Sequence, residues 1–187
     1  MLAPKRQRPD SQEEAVAERE VQRLAEAEAR LFNAYEAAFN LDASKRHRVA
    51  EGKVVVKGSQ RPWEQTRQGR LKHFLHSTMT DTADICWRSV FIHDIRTHSG
   101  RHRHQGGLAI YVIEGKGWTV VDGVRHDWEE GDLILLPVKP GGVEHQHFNG
   151  EPGKSCKWLA LIYGGFWDAL GNQMEQRETA PEWTAHA

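Results

Sequence analysis

Residues 99–117 read SGRHRHQGGLAIYVIEGKG. Two histidines stand two residues apart, a pair of glycines follows, and an apolar run then closes on a turn. Successive side chains of a strand point to opposite faces, so His102 and His104 share one face while Arg101 and Arg103 take the other. The pattern is a two-toothed clamp for a metal, since imidazole suits divalent first-row ions. Its plain rival is a pair of surface histidines on a polar strand. About forty residues on, GDLILLPVKPGGVEHQHFN at 131–149 repeats the theme, with His145 and His147 sharing a face beyond a turn rich in proline and glycine.

Around these two stretches the chain alternates short apolar runs with Gly, Asp and Pro at close spacing, which predicts an all-β sandwich or barrel. VVV at 54–56, LKHFLH at 71–76, CWRSVFIHDIR at 86–96, AIYVIEG at 109–115, WTVV, DLILLP, VEHQHF and CKWLALIY are the expected strands. Asp122-Gly123 between Val121 and Val124 is a two-residue type I′ hairpin turn. No internal repeat is visible, so one barrel is expected.

The two ends differ. From Ser11 to Phe39 no proline or glycine interrupts a sequence rich in Ala, Glu, Gln, Arg and Leu, which predicts one long helix opened by a Ser11/Glu14 capping box. Ala17, Val21, Leu24, Leu31, Tyr35 and Ala38 form a narrow apolar stripe, to be covered by the chain's own core or by a partner subunit. The helix is expected to end at 40–44, with KRHR at 45–48 as a solvated connector. FWDALGNQMEQRE at 166–178 reads as a short terminal helix, and the tail docks through Trp183 or frays. The expected organisation is a helical extension over 1–50, a β-barrel domain over 51–165, and a C-terminal helix and tail over 166–187.

A chain of 187 residues with 25 basic and 26 acidic side chains has no charge excess for a nucleic-acid or anionic-lipid surface. Two cysteines, Cys86 and Cys156, are too few for a disulfide framework or a thiolate zinc site. With no signal-like or membrane-spanning apolar run, a cytoplasmic protein acting on a small molecule is expected.

Gly100, His102, His104 and the strand closing on Gly115, followed by Gly131, Pro137, His145 and Asn149, resemble the two motifs of the cupin superfamily. The resemblance covers roughly Phe91 to Phe148 and implies a small antiparallel jelly-roll barrel with a metal held inside it by His102, His104 and His145. Two departures stand out. Leu108 occupies the place of the usual glutamate, seven positions before Gly115, and the turn between Pro137 and His145 is three residues longer than usual. Three neutral imidazoles leave a divalent site about one charge unit more positive than one with a carboxylate, so it favours an anionic chelating substrate. They also leave three octahedral positions open.

This three-histidine version is similar to the gentisate-type ring-cleaving dioxygenases. It implies iron(II), with manganese, nickel and copper as other candidates, dioxygen as co-substrate, a hydroxylated aromatic acid or another chelating hydroxy or keto acid as substrate, a role in aromatic compound degradation, and a homodimer or higher homo-oligomer. His147, Gln105 and Asn149 are expected to support the ligands or orient the substrate. Gly106 and Gly107 either form a bulge or leave space above the metal. Arg88 and Arg96 are the candidate anion partners, because Arg101 and Arg103 face away. A non-redox isomerase, lyase or decarboxylase and a non-catalytic small-molecule-binding cupin are the alternatives.

Overall fold

Strong helix formers continue past residue 44 with no breaker before Gly52, and the helix continues with them. In the computed structural model, which describes residues 11–184, α1 (Ser11–Phe32) and α2 (Ala34–Glu51) are separated only by a turn at Asn33. The expected end at 40–44 and the KRHR connector are therefore corrected: those residues are helical, and the stop comes at Gly52, whose N–H still reaches the carbonyl of Arg48 at 2.8 Å. The side chains of residues 11–15 and 30–32 are outside the described set, and with them the expected capping box and Leu31 of the stripe. Val21, Leu24 and Tyr35 are exposed. By the clustering of its contacts the chain forms two units, one ending at His47 and one beginning at Arg48.

The second unit is built from antiparallel strands: β1 (Glu64–Thr66), β2 (Gly69–His76), β3 (Trp87–Asp94), β4 (Arg101–His104), β5 (Leu108–Glu114), β6 (Lys116–Val121), β7 (Val124–Glu129), β8 (Leu133–Leu136), β9 (Val143–Asn149), β10 (Lys157–Tyr163) and, after the short helix α3 (Gly164–Ala169), β11 (Glu175–Glu178). They form a six-stranded sheet in the order β1-β2-β3-β10-β5-β8 and a five-stranded sheet in the order β11-β4-β9-β6-β7. Two antiparallel sheets with a helical N-terminal stretch and a short C-terminal helix are the jelly-roll architecture that the sequence predicts.

The alternation of the strands builds the core. On β5 and β10, Ile110, Val112, Trp158, Ala160 and Ile162 point inward and are buried, joined by Ile95, Trp128, Leu136 and Trp167. Each large apolar side chain so buried contributes about 1.5–3 kcal/mol. The Asp122-Gly123 turn has positive φ at both positions, 48° and 84°, with Val121 opposite Val124, so the hairpin is the expected type.

Two expected elements differ. Val54 and Val55 are exposed and form no strand; only Lys53 makes an isolated bridge, to Thr82, because no sheet edge is offered to the valines. The expected helix over 166–178 stops at Ala169. Gly171, at φ 57°, ends it, and residues 175–178 pair with β4 as a strand, so the expected C-terminal segment of helix and tail contains a sheet edge.

Candidate metal centre

His102 and His145 stand directly opposite each other across β4 and β9. Opposed side chains of an antiparallel pair lie close together, and their ring centroids are 4.1 Å apart. His104, one pleat further along β4, lies 4.8 Å from His145 and 5.5 Å from His102. One ring nitrogen from each of the three falls within 4.8 Å of the others, and all three residues are buried. The structure thus brings His102, His104 and His145 together, and leaves Arg101 and Arg103 on the far face. Arg101 pairs there with Glu144 at 3.2 Å and Glu178 at 3.5 Å.

The donor set fits a metal. Nδ1 of His102 faces the carbonyl of Gly100 at 3.3 Å, and Nδ1 of His145 faces that of Val143 at 3.1 Å. A carbonyl only accepts, so each of these rings carries its proton on Nδ1 and keeps the lone pair of Nε2 for an ion. Nε2 of His145 is buried without a hydrogen-bond partner among the described residues, a cost that a ligand would remove. His104 differs, since its Nδ1 accepts from the N–H of Gly106 at 3.0 Å. Ligation through Nε2 of this ring requires that amide contact to give way.

Burial also keeps the rings in the ligating, neutral form. It pulls the pKa of His102 down to about 4 and that of His104 to about 3, with the neighbouring His102 adding to the latter. His145 is held well below its ordinary value by burial and then by the surrounding histidines.

The triad opens into a cavity of about 430 Å³. Leu108, buried where the cupin motif usually has a glutamate, lines it with Phe91, Trp158 and Ile162 as apolar walls, and no carboxylate is among its described lining residues. Among the described residues Arg88 is the one permanent cation lining it, beside Trp167 (5.2 Å) and within 3.8 Å of Asp168. Arg96 lines a different cavity and pairs with Asp94 at 3.2 Å, so the structure ranks Arg88 ahead of it.

The other expected residues divide. His147 is buried and lines the cavity 5.5 Å from His145. Asn149 does not line it: its Nδ2 donates to the carbonyls of Ile95, Arg96 and Lys154, tying the loop after β3 to the loop after β9. Gln105 is also occupied elsewhere, because its Oε1 accepts from the N–H of Gln173 at 2.9 Å. The adjacent glycines lie where the chain passes close to its neighbours. A Cβ on Gly106 would sit 1.9 Å from the carbonyl oxygen of Pro137, at φ +89°, and one on Gly107 would press on Phe166, so close passage of the chain demands them.

Sequence reasoning missed several lining residues: His73 and His76 on β2, Ser89 on β3, and Trp167 on α3. The alternation of LKHFLH put Leu71 and His73 on one face, which was the available signal; Trp167 had none. His93, which no motif supported, is buried in the same wall, 4.8 Å from Trp158, and its pKa is pulled down to about 3 by burial and by His102.

Residues 92–162 match the family model of the Cupin domain. A gentisate 1,2-dioxygenase from Streptomyces sp is 31% identical over 99 residues, 50% of this chain and 27% of that protein. A 5-aminosalicylate 1,2-dioxygenase from Comamonas sp is 30% identical over 80 residues, 43% of this chain and 20% of that protein. The match thus spans about a quarter of the length of these curated relatives. Among solved structures, a tyrosine-to-phenylalanine variant of the Streptomyces protein PAC13 with uridine is 11% identical and covers 70% of this chain and 94% of that one at a TM-score of 0.50, a likeness of fold alone. No described helix is long and apolar enough to cross a membrane. The segment from residue 92 to residue 162, which carries all three clustered histidines, is the part of the chain that is similar to a cupin domain.

Proposed function

We propose that the chain is a metal-dependent dioxygenase that holds iron(II) on His102, His104 and His145 and opens the ring of a hydroxylated aromatic acid, or cleaves a similar chelating hydroxy or keto acid, with dioxygen. The observation that carries this reading is a triad of buried neutral imidazoles with no carboxylate among the described residues lining its cavity. Such a centre keeps a net positive charge, which an anionic, two-oxygen ligand neutralises. The dioxygenase activities of the two curated relatives support the same reading.

When bound, iron(II) supplies open coordination positions for two substrate oxygens and for dioxygen, and the electrons that activate them. The chain does the rest. Arg88 meets the substrate carboxylate at the mouth, where its planar guanidinium matches two oxygens at once. Trp158, Phe91 and Ile162 hold the aromatic ring and keep water out, which strengthens every polar contact inside. His147 presents a polar ring edge beside the triad.

The test is metal analysis of protein purified without chelators, followed by oxygen-electrode measurements with added iron(II) and a panel of mono- and dihydroxybenzoates. One metal per chain and rapid oxygen uptake with at least one of these acids are expected, and His102→Ala and His145→Ala should lose the metal. Full metal content in either variant would overturn the ligand assignment. Bound metal with no oxygen uptake across the panel would hand the site to non-redox chemistry.

A further inference from the structure

Behind His147 lies a chain of three buried side chains with a definite direction. The indole Nε1 of Trp128 lies 2.9 Å from Oγ1 of Thr119, and Oγ1 lies 2.8 Å from Nδ1 of His147. Thr119 is fully buried, and Trp128 and His147 are buried with it. They come together because Thr119 on β6 is registered opposite His147 on β9, with Trp128 on the neighbouring strand β7.

Indole nitrogen only donates, so Thr119 Oγ1 accepts from Trp128. The hydroxyl hydrogen of Thr119 then needs an acceptor. Among the described contacts Oγ1 touches only Trp128 and His147, and a buried hydroxyl with an unspent hydrogen is disfavoured. The hydrogen therefore goes to Nδ1 of His147. A neutral ring that accepts at Nδ1 carries its own proton on Nε2, at the other end of the ring. That end faces the cavity, since Nδ1 is turned onto Thr119 and the ring lines the cavity beside Trp158, 4.9 Å away.

We infer that Thr119, backed by Trp128, is a positioning residue that fixes His147 as an N–H donor aimed into the cavity. His102 and His145 thus have the opposite polarity to His147: those two present lone pairs, and His147 presents a hydrogen. A ligand that fits both needs an oxygen atom accepting from His147 while it, or a second oxygen, approaches the triad. A hydroxy acid has that chemistry; the last step rests on the proposed function, whereas the tautomer does not.

The experiment uses the metal-free full chain labelled with nitrogen-15 in its histidines, with the His147 signals assigned by their absence in His147→Gln. Long-range proton–nitrogen correlation separates the two neutral tautomers, and the expected wild-type pattern is protonated Nε2 and bare Nδ1. Thr119→Val, which keeps the shape and removes the hydroxyl, should lose the single-tautomer pattern, and Thr119→Ser should restore it. A wild-type ring protonated at Nδ1, or a Thr119→Val spectrum identical to wild type at His147, would overturn the inference. Should the valine variant fail to fold, the wild-type and serine spectra decide alone. None of these outcomes depends on the reaction the site performs, so a failure here is distinguishable from a panel of acids that draws no oxygen.

Discussion

Leu108 is the residue at which the sequence departs from the usual cupin motif that it resembles, and its position makes the departure testable. It is buried, 6% exposed, on the wall shared with the triad. Leu108→Glu would place a carboxylate in the triad's cavity, where Arg88, already within 3.8 Å of Asp168, is the lining cation among the described residues. In the metal-free protein the buried acid should cost at least about 2 kcal/mol, whether it stays charged or takes up a proton. A divalent ion on the three imidazoles would recover that cost, so thermal melts of the variant should rise more steeply with added manganese(II) than those of wild type. Equal loss with and without metal would mean that position 108 does not address the ligand cluster. Gly106 makes a second prediction at this scale. Any side chain there meets the Pro137 carbonyl in a left-handed backbone, so Gly106→Ala should destabilise the fold by roughly 2–4 kcal/mol in a denaturant titration.

Among elements, the final strand shows most clearly what a sequence can and cannot specify. EQRE at 175–178 has high helix propensity, and nothing local marks it as a strand; it becomes one because β4 offers an unpaired edge, with Glu175 opposite Arg103 and Gln176 opposite His102. The link is held from outside the strand. Gln105 Oε1 accepts from the N–H of Gln173, and Asn172 Oδ1 accepts from the N–H of Gln105 at 2.8 Å. Gln105→Ala should therefore speed amide exchange across residues 173–178 by about tenfold, at a cost of about 1 kcal/mol, while β9 is unchanged. A uniform change over both sheets would show that Gln105 supports the whole barrel instead. The strands of the core, the Asp122-Gly123 hairpin and the shared face of His102 and His104 were legible because period-two alternation and turn chemistry are local. Val54 and Val55 were misread for the complementary reason, that strand propensity without a neighbouring edge gives no strand. Gln105 and Asn149 sat in motif frames beside the ligands, but which backbone groups they satisfy depends on loops brought together from elsewhere in the chain.

For the β unit taken whole, five buried histidines, 93, 102, 104, 145 and 147, couple the site to stability. Burial is the leading cause in each case: His93 and His104 are pulled down to about 3, His102 to about 4, and the other two lie well below the ordinary value of 6.5. Above pH 6.5 both folded and unfolded chains leave these rings neutral, and stability is insensitive to them. As pH falls below 6.5 the unfolded chain takes up protons that the folded chain refuses, so stability is lost at up to about 1.4 kcal/mol per pH unit for each ring. Five rings together would consume a typical domain stability of about 5–15 kcal/mol within roughly one to two pH units, which puts acid unfolding of the metal-free protein near pH 5. The carboxylates do not blur this window. Asp81, lowered to about 2 by its hydrogen bonds from Arg61 and Lys53, withdraws its contribution only as pH falls from about 3.8 toward 2. Calorimetry of the metal-free chain between pH 7.5 and 4.5 should show a plateau above 6.5 and a steep fall below it. His93→Gln, which removes a buried ring without touching the triad, should flatten that fall by about one fifth. A melting temperature independent of pH across this range would mean that the five rings do not share one dry interior, and the neutral three-nitrogen centre would lose its physical basis.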